Sequence, residues 1–278
     1  MNYECVQCHQ ELAIPPEGEG RIFCPQCGFE YFYAKNYLEY NSDSLLFNRF
    51  KKKYLLYKVL NNNGYFSYHF LKETSLSLPE RPEVTNFRNY IRFQIPKGRI
   101  LDVGCGILPT PGYLDFKEKQ GFEFYGIDPI KDRSFNGVRV VGCAEFMPFQ
   151  EKSFDAIIFA TSLDHVCSKE TAIQESYRVL NNKGKIIIWM SDLKTSFINS
   201  MKDRVGIILE SIRKGYRIDR FILYPNFTVL YVPKGAIDPF HFYVESPKEV
   251  IRQMERAKFK MFDATYCGRL EVFLSFIK

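Results

Sequence analysis

The chain has 278 residues, 46% hydrophobic and 25% charged, with a formal net charge of +6. That is the make-up of a folded globular protein with ample core, and it excludes disordered and collagen-like classes. No apolar run approaches the roughly 18 residues of a membrane span, and Met1-Asn-Tyr-Glu-Cys5 lacks the basic and apolar regions of a secretion signal, so a cytoplasmic location is expected.

Residues 1–33 hold Cys5, Cys8, Cys24 and Cys27 in the pattern C-x2-C-x15-C-x2-C, joined by a loop with Pro15-Pro16, Gly18 and Gly20. The spacing is that of a zinc site. A segment this short cannot bury enough apolar surface to fold alone, and metal binding would supply about 10–16 kcal/mol. Four thiolates complete a tetrahedron, so the expected Zn2+ is structural, with no open position for catalysis. Disulfides are the alternative. The segment carries five acids against Arg21, and His9 is expected on the surface.

Residues 34–95 read as a helical linker or cap. Leu45, Leu46, Phe50, Tyr54, Leu55 and Val59 recur at helical spacing. Asn61-Asn-Asn-Gly64 reads as a helix stop, Leu78 to Pro82 as a loop, and Asn86 to Phe93 as a short helix. With twelve bases among residues 34–99, this stretch is basic, and Lys51-Lys-Lys53 reads as a solvated helix face.

From residue 96 onward, strands and helices are expected to alternate. Ile100, Leu101 and Val103 form a buried strand, and Gly104 and Gly106 lie where it should turn into a helix. The next strand, Phe122 to Ile127, ends on Asp128, placed for ribose hydroxyls. Asp155 to Ala160 is a doubly covered strand, Glu170 to Leu180 a helix, Lys185 to Met190 a strand. A helix after Pro247 precedes final strands at Met261–Tyr266 and Glu271–Ile277. The stretch 191–245, with an amphipathic helix at Ile198–Arg213 and many aromatics, including His241 and Tyr243, is expected to form a lid over the strand ends.

Asp102 decides what the glycine turn holds. A dinucleotide site would place a pyrophosphate on the helix N-terminus, which a carboxylate two residues before the first glycine repels, and Pro109 stands where a third fingerprint glycine belongs. A cationic ligand suits this turn better. ILDVGCG, YGIDP, GCAEFMPFQEKSFDAIIF and SYRVLNNKGKIIIW, in that order, resemble the motif series of class I S-adenosylmethionine-dependent methyltransferases, and CVQCHQEL with FCPQCGFEYF resembles the zinc ribbons that precede some of them.

The resemblance implies an α/β fold with a doubly wound, Rossmann-like, mostly parallel seven-stranded sheet. It also implies S-adenosyl-L-methionine as cofactor. Asp102, Gly104, Cys105 and Gly106 would cradle the methionine part. Asp128 and Pro129 would meet the ribose, Ala144 and Glu145 the adenine, and Thr161 the methyl side. Leu108 replaces the family's third glycine, and Cys143 stands where an acid often bonds the adenine amino group. In the turn Thr161-Ser-Leu-Asp-His165, His165 is a candidate base and Asp164 would orient it or bind an amine, with packing as the alternative; His241 is the second candidate base. The expected acceptor is a small molecule or sugar. RNA is the second reading, and a non-catalytic cofactor-binding interaction protein the third.

Overall fold

The computed structural model describes residues 2–66, 81–116, 121–192, 216–218, 220–223, 229–232, 234, 245–268 and 270–278. The sheet that positions the site begins with β6 (Gly98–Val103), flanked in parallel by β7 (Phe122–Asp128) and β9 (Phe154–Ala160). Beyond β7 lies β8 (Val138–Val141), and beyond β9 lies β10 (Leu180–Ser191), both parallel. The antiparallel β15 (Glu271–Ile277) and then β14 (Lys260–Cys267) complete that edge. These seven strands have the expected parallel core.

The sheet does not stop at seven. β5 (Tyr37–Tyr40) pairs in parallel with β8, and β4 (Glu30–Ala34) and β3 (Gly20–Phe23) follow antiparallel, giving ten strands in all. The extra strands come from the cysteine-bearing segment, whose expected boundary at residue 33 falls inside β4. The two short strands β1 (Tyr3–Glu4) and β2 (Glu11–Leu12) form a separate hairpin. It docks on the core through a Tyr3–Phe149 bridge and an Arg178–Glu4 ion pair at 2.5 Å.

Alternation along the strands fills two cores. Ile100, Ala156, Ile158, Ile187 and Trp189 face α3 (Pro82–Gln94), which contributes Val84, Phe87 and Ile91. Leu101, Val103, Ile157, Phe159, Ile186 and Ile188 face the other way, against α4 (Lys169–Val179), α5 (Pro247–Arg256) and the cysteine hairpins. Both faces are therefore covered, as near-continuous apolar strands require. No helix among the described residues is long and apolar enough to cross a membrane.

Two local expectations are overturned. Asn61 to Gly64 do not stop a helix: α1 (Ser42–Phe50) is followed by α2 (Lys52–Phe66), which runs straight through them. Burial of Tyr54, Tyr57 and Leu60 on one side of α2 outweighs the poor propensity of Asn and Gly. After Gly104 and Gly106, the described residues hold only a 3-10 turn, Gly112–Leu114, and no α-helix. Pro109 and Pro111 lack amide donors, and each disfavours helical backbone in the residue before it.

The expected amphipathic helix at 198–213, and Tyr224, Phe227, Phe240, His241, Phe242 and Tyr243, lie outside the described residues. What is described of 191–245 includes a small antiparallel sheet: β11 (Tyr216–Ile218), β12 (Phe221–Leu223) and β13 (Val229–Tyr231). Asn63 of α2 donates to the Tyr231 carbonyl at 2.9 Å, which sets this sheet beside the end of α2.

Candidate active site

At the carboxyl ends of β6, β7, β8 and β9, beneath α2, lies a pocket of about 170 Å³. Gly104, Asp128, Pro129, Ala144, Glu145, Thr161 and His165 all line it. Seven of the expected cofactor- and acceptor-side residues, spread over 62 positions from Gly104 to His165, thus converge on one cavity. Its roof was not foreseen: Tyr57, Leu60, Asn61, Gly64 and Tyr65 of α2 close it from above.

The glycine turn is held from behind. Gly104 has φ +83 and packs so closely that a Cβ there would lie 2.4 Å from the Ser162 side chain. Gly106 has φ +67, and a Cβ would meet nothing within 4 Å, so this backbone faces open space that a ligand can use. The Gly106 amide donates to one Asp128 oxygen at 2.9 Å, and the Ile130 amide to the other at 2.9 Å. Asp128 is thereby fixed in orientation, with lone pairs left for hydroxyl donors.

Asp102 points the other way, towards the α3 side of the sheet. It is fully buried; Tyr113 donates to Oδ2 at 3.0 Å, while Oδ1 is buried with no hydrogen-bond partner. Burial pushes its carboxyl up to about 7; the Tyr113 hydrogen bond opposes this, the Asp128 charge adds to it, and the Arg139 charge opposes it. Cys105 does not face the pocket either. Its thiol is buried against Gly126, where a Cβ would lie 2.6 Å from the sulfur.

Arg139 is the group that sequence reasoning missed. Only 1% exposed, it donates to the Gly106 and Ile130 carbonyls and the Cys105 sulfur, each at 2.7 Å. It pins both turns around Asp128 and places one cation among buried carboxylates. A lone arginine inside Val138-Arg-Val-Val141 was the available signal: on a buried strand it demands partners.

On the adenine side, Glu145 is buried and accepts the Ser168 amide at 2.8 Å; burial raises its pKa. On the methyl side, Thr161 takes φ +54, a left-handed conformation uncommon for a β-branched residue. His165 and Asp164 are both partly exposed, and His165 Nε2 lies 3.9 Å from Asp164 Oδ1, an ion-pair distance but not a hydrogen bond. Asp164 itself does not line the cavity.

The four cysteines of the N-terminal segment come together with all Sγ atoms within 4.8 Å of one another; the shortest separations are 3.5 Å (Cys8–Cys24) and 3.6 Å (Cys5–Cys27). The two knuckles repeat one backbone. His9 (φ +61) donates to the Cys5 carbonyl at 2.8 Å, and Gly28 (φ +73) to the Cys24 carbonyl at 2.9 Å. Zinc bonded to four sulfurs at about 2.3 Å places them roughly 3.8 Å apart, which these separations bracket. His9 stays outside, paired with Glu4 at 2.7 Å.

Residues 101–188, about a third of the chain, match the family model described as a methyltransferase domain. This core is a class I methyltransferase domain. An uncharacterized protein of Methanocaldococcus jannaschii is 32% identical over 138 residues, 46% of this chain and 52% of that protein. A ubiquinone/menaquinone biosynthesis C-methyltransferase of Citrifermentans bemidjiense is 26% identical over 195 residues, 62% of this chain and 74% of the relative. A probable tRNA methyltransferase 9B of Mus musculus is 32% identical over 111 residues, 37% and 24% of the two chains. The chain spans about half the length of the first curated relatives it matches. Among solved structures, a Burkholderia thailandensis 1,6-didemethyltoxoflavin-N1-methyltransferase with bound S-adenosylhomocysteine shares the fold (TM-score 0.53, 13% identity, 80% of this chain and 88% of that one).

The methyltransferase domain's residues fit the cofactor that the fold family uses. Gly104, Asp128, Ala144 and Glu145 line the cavity and the Gly106 backbone faces open space, while Asp102 stands behind the turn as a buried negative charge and not in the cavity wall.

Proposed function

We propose that this chain transfers a methyl group from S-adenosylmethionine to a small-molecule acceptor, and that its four cysteines hold a structural Zn2+. The observation that carries the first reading is the convergence of Gly104, Asp128, Ala144, Glu145, Thr161 and His165 on one cavity under α2. When bound, S-adenosylmethionine supplies a methyl already activated by its sulfonium. The protein's own task is then mostly orientation and exclusion of water.

Asp102 provides negative charge for the ammonium head from behind the glycine turn. Asp128, held by two amides, receives the ribose hydroxyls. The 142–145 loop borders the adenine. His165, at the opposite end of the pocket, takes a proton from the acceptor where the acceptor must lose one. The cavity of about 170 Å³ lies directly under α2.

A small acceptor is supported by the quinone-pathway relative and by the cavity's roof of Tyr57 and Tyr65. The mouse tRNA relative supports RNA as the second reading. Against it, the cations beside the pocket are spoken for. Arg21, Lys58, Lys131 and Arg133 are paired with Glu30, Asp43, Glu39 and Glu19, so an RNA reading rests on the exposed Arg49 and Lys51 to Lys53 instead.

The test is calorimetry with S-adenosylhomocysteine together with methyl-labelled donor in cell extract. Micromolar binding that weakens at least tenfold in Asp128→Ala, with label in the low-mass organic fraction, is the expected result. Label confined to RNA makes the second reading correct. Binding of the homocysteine product with no transfer to any fraction leaves a non-catalytic binding protein.

A further inference from the structure

We propose that Tyr40 is the positioning residue of the pocket's 142–146 loop. Through its cross-strand partner Tyr31, it ties the order of that loop to the four-cysteine cluster. This rests on the cofactor and metal readings above.

Tyr40 belongs to β5, outside the methyltransferase domain, and is buried at 4% exposure. Its hydroxyl accepts the Cys143 amide at 3.0 Å and donates to the Phe146 carbonyl, closing both ends of one turn. The ring lies directly beneath the loop. A Cβ on Gly142 would sit 2.3 Å from it, so the loop needs glycine there to pass over the tyrosine. The Gly142 amide in turn donates to the Asp128 carbonyl at 3.1 Å, so the same loop abuts the ribose side. Gly142, Cys143, Ala144 and Glu145 all line the cavity.

The other end of the link is the cysteine cluster. Tyr31 stands directly opposite Tyr40 in the β4–β5 register, with ring centroids 6.0 Å apart. The fully buried Tyr31 hydroxyl accepts the Val6 amide at 2.9 Å and donates to Cys5 Sγ at 3.4 Å. Phe29 packs on both rings, at 5.2 Å from Tyr31 and 6.4 Å from Tyr40. From the Cys5 sulfur to the Cys143 amide the path is two hydroxyls and one ring contact, all buried. Each hydroxyl anchors its own buried hydrogen-bonded set, and the buried ring contact, with Phe29 packed on both rings, is the link by which one set acts on the other.

Removing the Tyr40 hydroxyl leaves a buried amide and a buried carbonyl unpaired, a loss that falls on the loop. Tyr40→Phe should therefore weaken S-adenosylhomocysteine binding at least fivefold with unchanged metal content. Amide hydrogen exchange over residues 142–146 should quicken. Chelator-stripped wild type should move both readouts in the same direction. Tyr37→Phe, on the same strand with its hydroxyl on Glu39 at 2.7 Å, is the control that keeps wild-type affinity.

Affinity in Tyr40→Phe within twofold of a wild type that does bind overturns the proposal. So does metal-free protein that binds as tightly as loaded protein. Wild type that binds no S-adenosylhomocysteine overturns the cofactor reading instead. Hydrogen exchange at 142–146 then decides the tie by itself, and unchanged exchange in Tyr40→Phe refutes it.

Discussion

Asp102 makes the cofactor reading answerable by pH alone. Its carboxyl is pushed up to about 7, chiefly by burial, so it gains or loses its proton around neutral pH instead of near pH 4. A ligand bearing an ammonium favours the ionised form and must displace the proton where one is present. An α-ammonium with an ordinary pKa of about 7.7–8.0 stays mostly charged up to pH 7, so affinity should rise about fivefold between pH 6 and 7 and level off above that as the ligand itself loses its proton. Calorimetry in two buffers of different ionisation enthalpy should also report release of about half a proton at pH 7. Glu145 is raised by burial too, so variants assign the effect. His165→Gln should keep the slope and Asp102→Asn should lose it along with most of the affinity. The free protein gives a second sign. A carboxyl raised in the folded state destabilises increasingly as pH climbs from about 4 to 7. Asp102→Asn should therefore raise the melting temperature at pH 8, with a gain that shrinks towards pH 5. A pH-independent wild type, or a slope that survives in Asp102→Asn, refutes the argument.

Further outcomes follow from other groups. Metal analysis should return one zinc per chain, and Cys24→Ser should remove it; two disulfides in protein purified under reduction would contradict the site. Arg139→Met should lower stability by about 3–5 kcal/mol in urea unfolding, because it strips the cation from Asp102 and frees two buried carbonyls; a loss below 1 kcal/mol would mean the turns hold themselves. Gly64→Ala should stabilise by about 0.5–1 kcal/mol, since a Cβ there meets nothing within 4 Å and the position is helical; destabilisation would restore the helix stop that the sequence suggests. His165→Gln should leave S-adenosylhomocysteine affinity within twofold while cutting turnover about a hundredfold; unchanged turnover removes it as the base.

The parts legible in the sequence are those carried by local pattern. Ile100-Leu-Asp-Val103 and Asp155-Ala-Ile-Ile-Phe-Ala160 are apolar runs of strand length beside glycine or acidic ends, and both strands and their terminal residues stand where expected. What escaped depends on pairing across the chain. Tyr37 to Tyr40 reads as part of a helical stretch, yet becomes a strand because β8 offers it a parallel edge about a hundred residues away. Nothing near Tyr40 announces that its hydroxyl will serve Cys143, and nothing near Asn61 announces that burial of Tyr57 and Leu60 will carry a helix through three asparagines and a glycine.

The balance of buried charge explains why this turn suits a cationic ligand. Asp102, Asp128 and Glu145 are all at most 6% exposed, and the buried Arg139 acts on the charge of Asp102. Glu145 relies on the Ser168 amide and Asp128 on two amides, so neither calls for a counter-ion. Asp102 is left with one hydroxyl donor and one orphaned oxygen, and the protein answers by raising its pKa. Left alone, such a group takes up a proton; offered an ammonium, it ionises. A pyrophosphate in the same turn would add like charge to three buried carboxylates, an arrangement that low local dielectric penalises severely. The acid that excludes a dinucleotide from the sequence is thus the same acid that the fold leaves short of a partner.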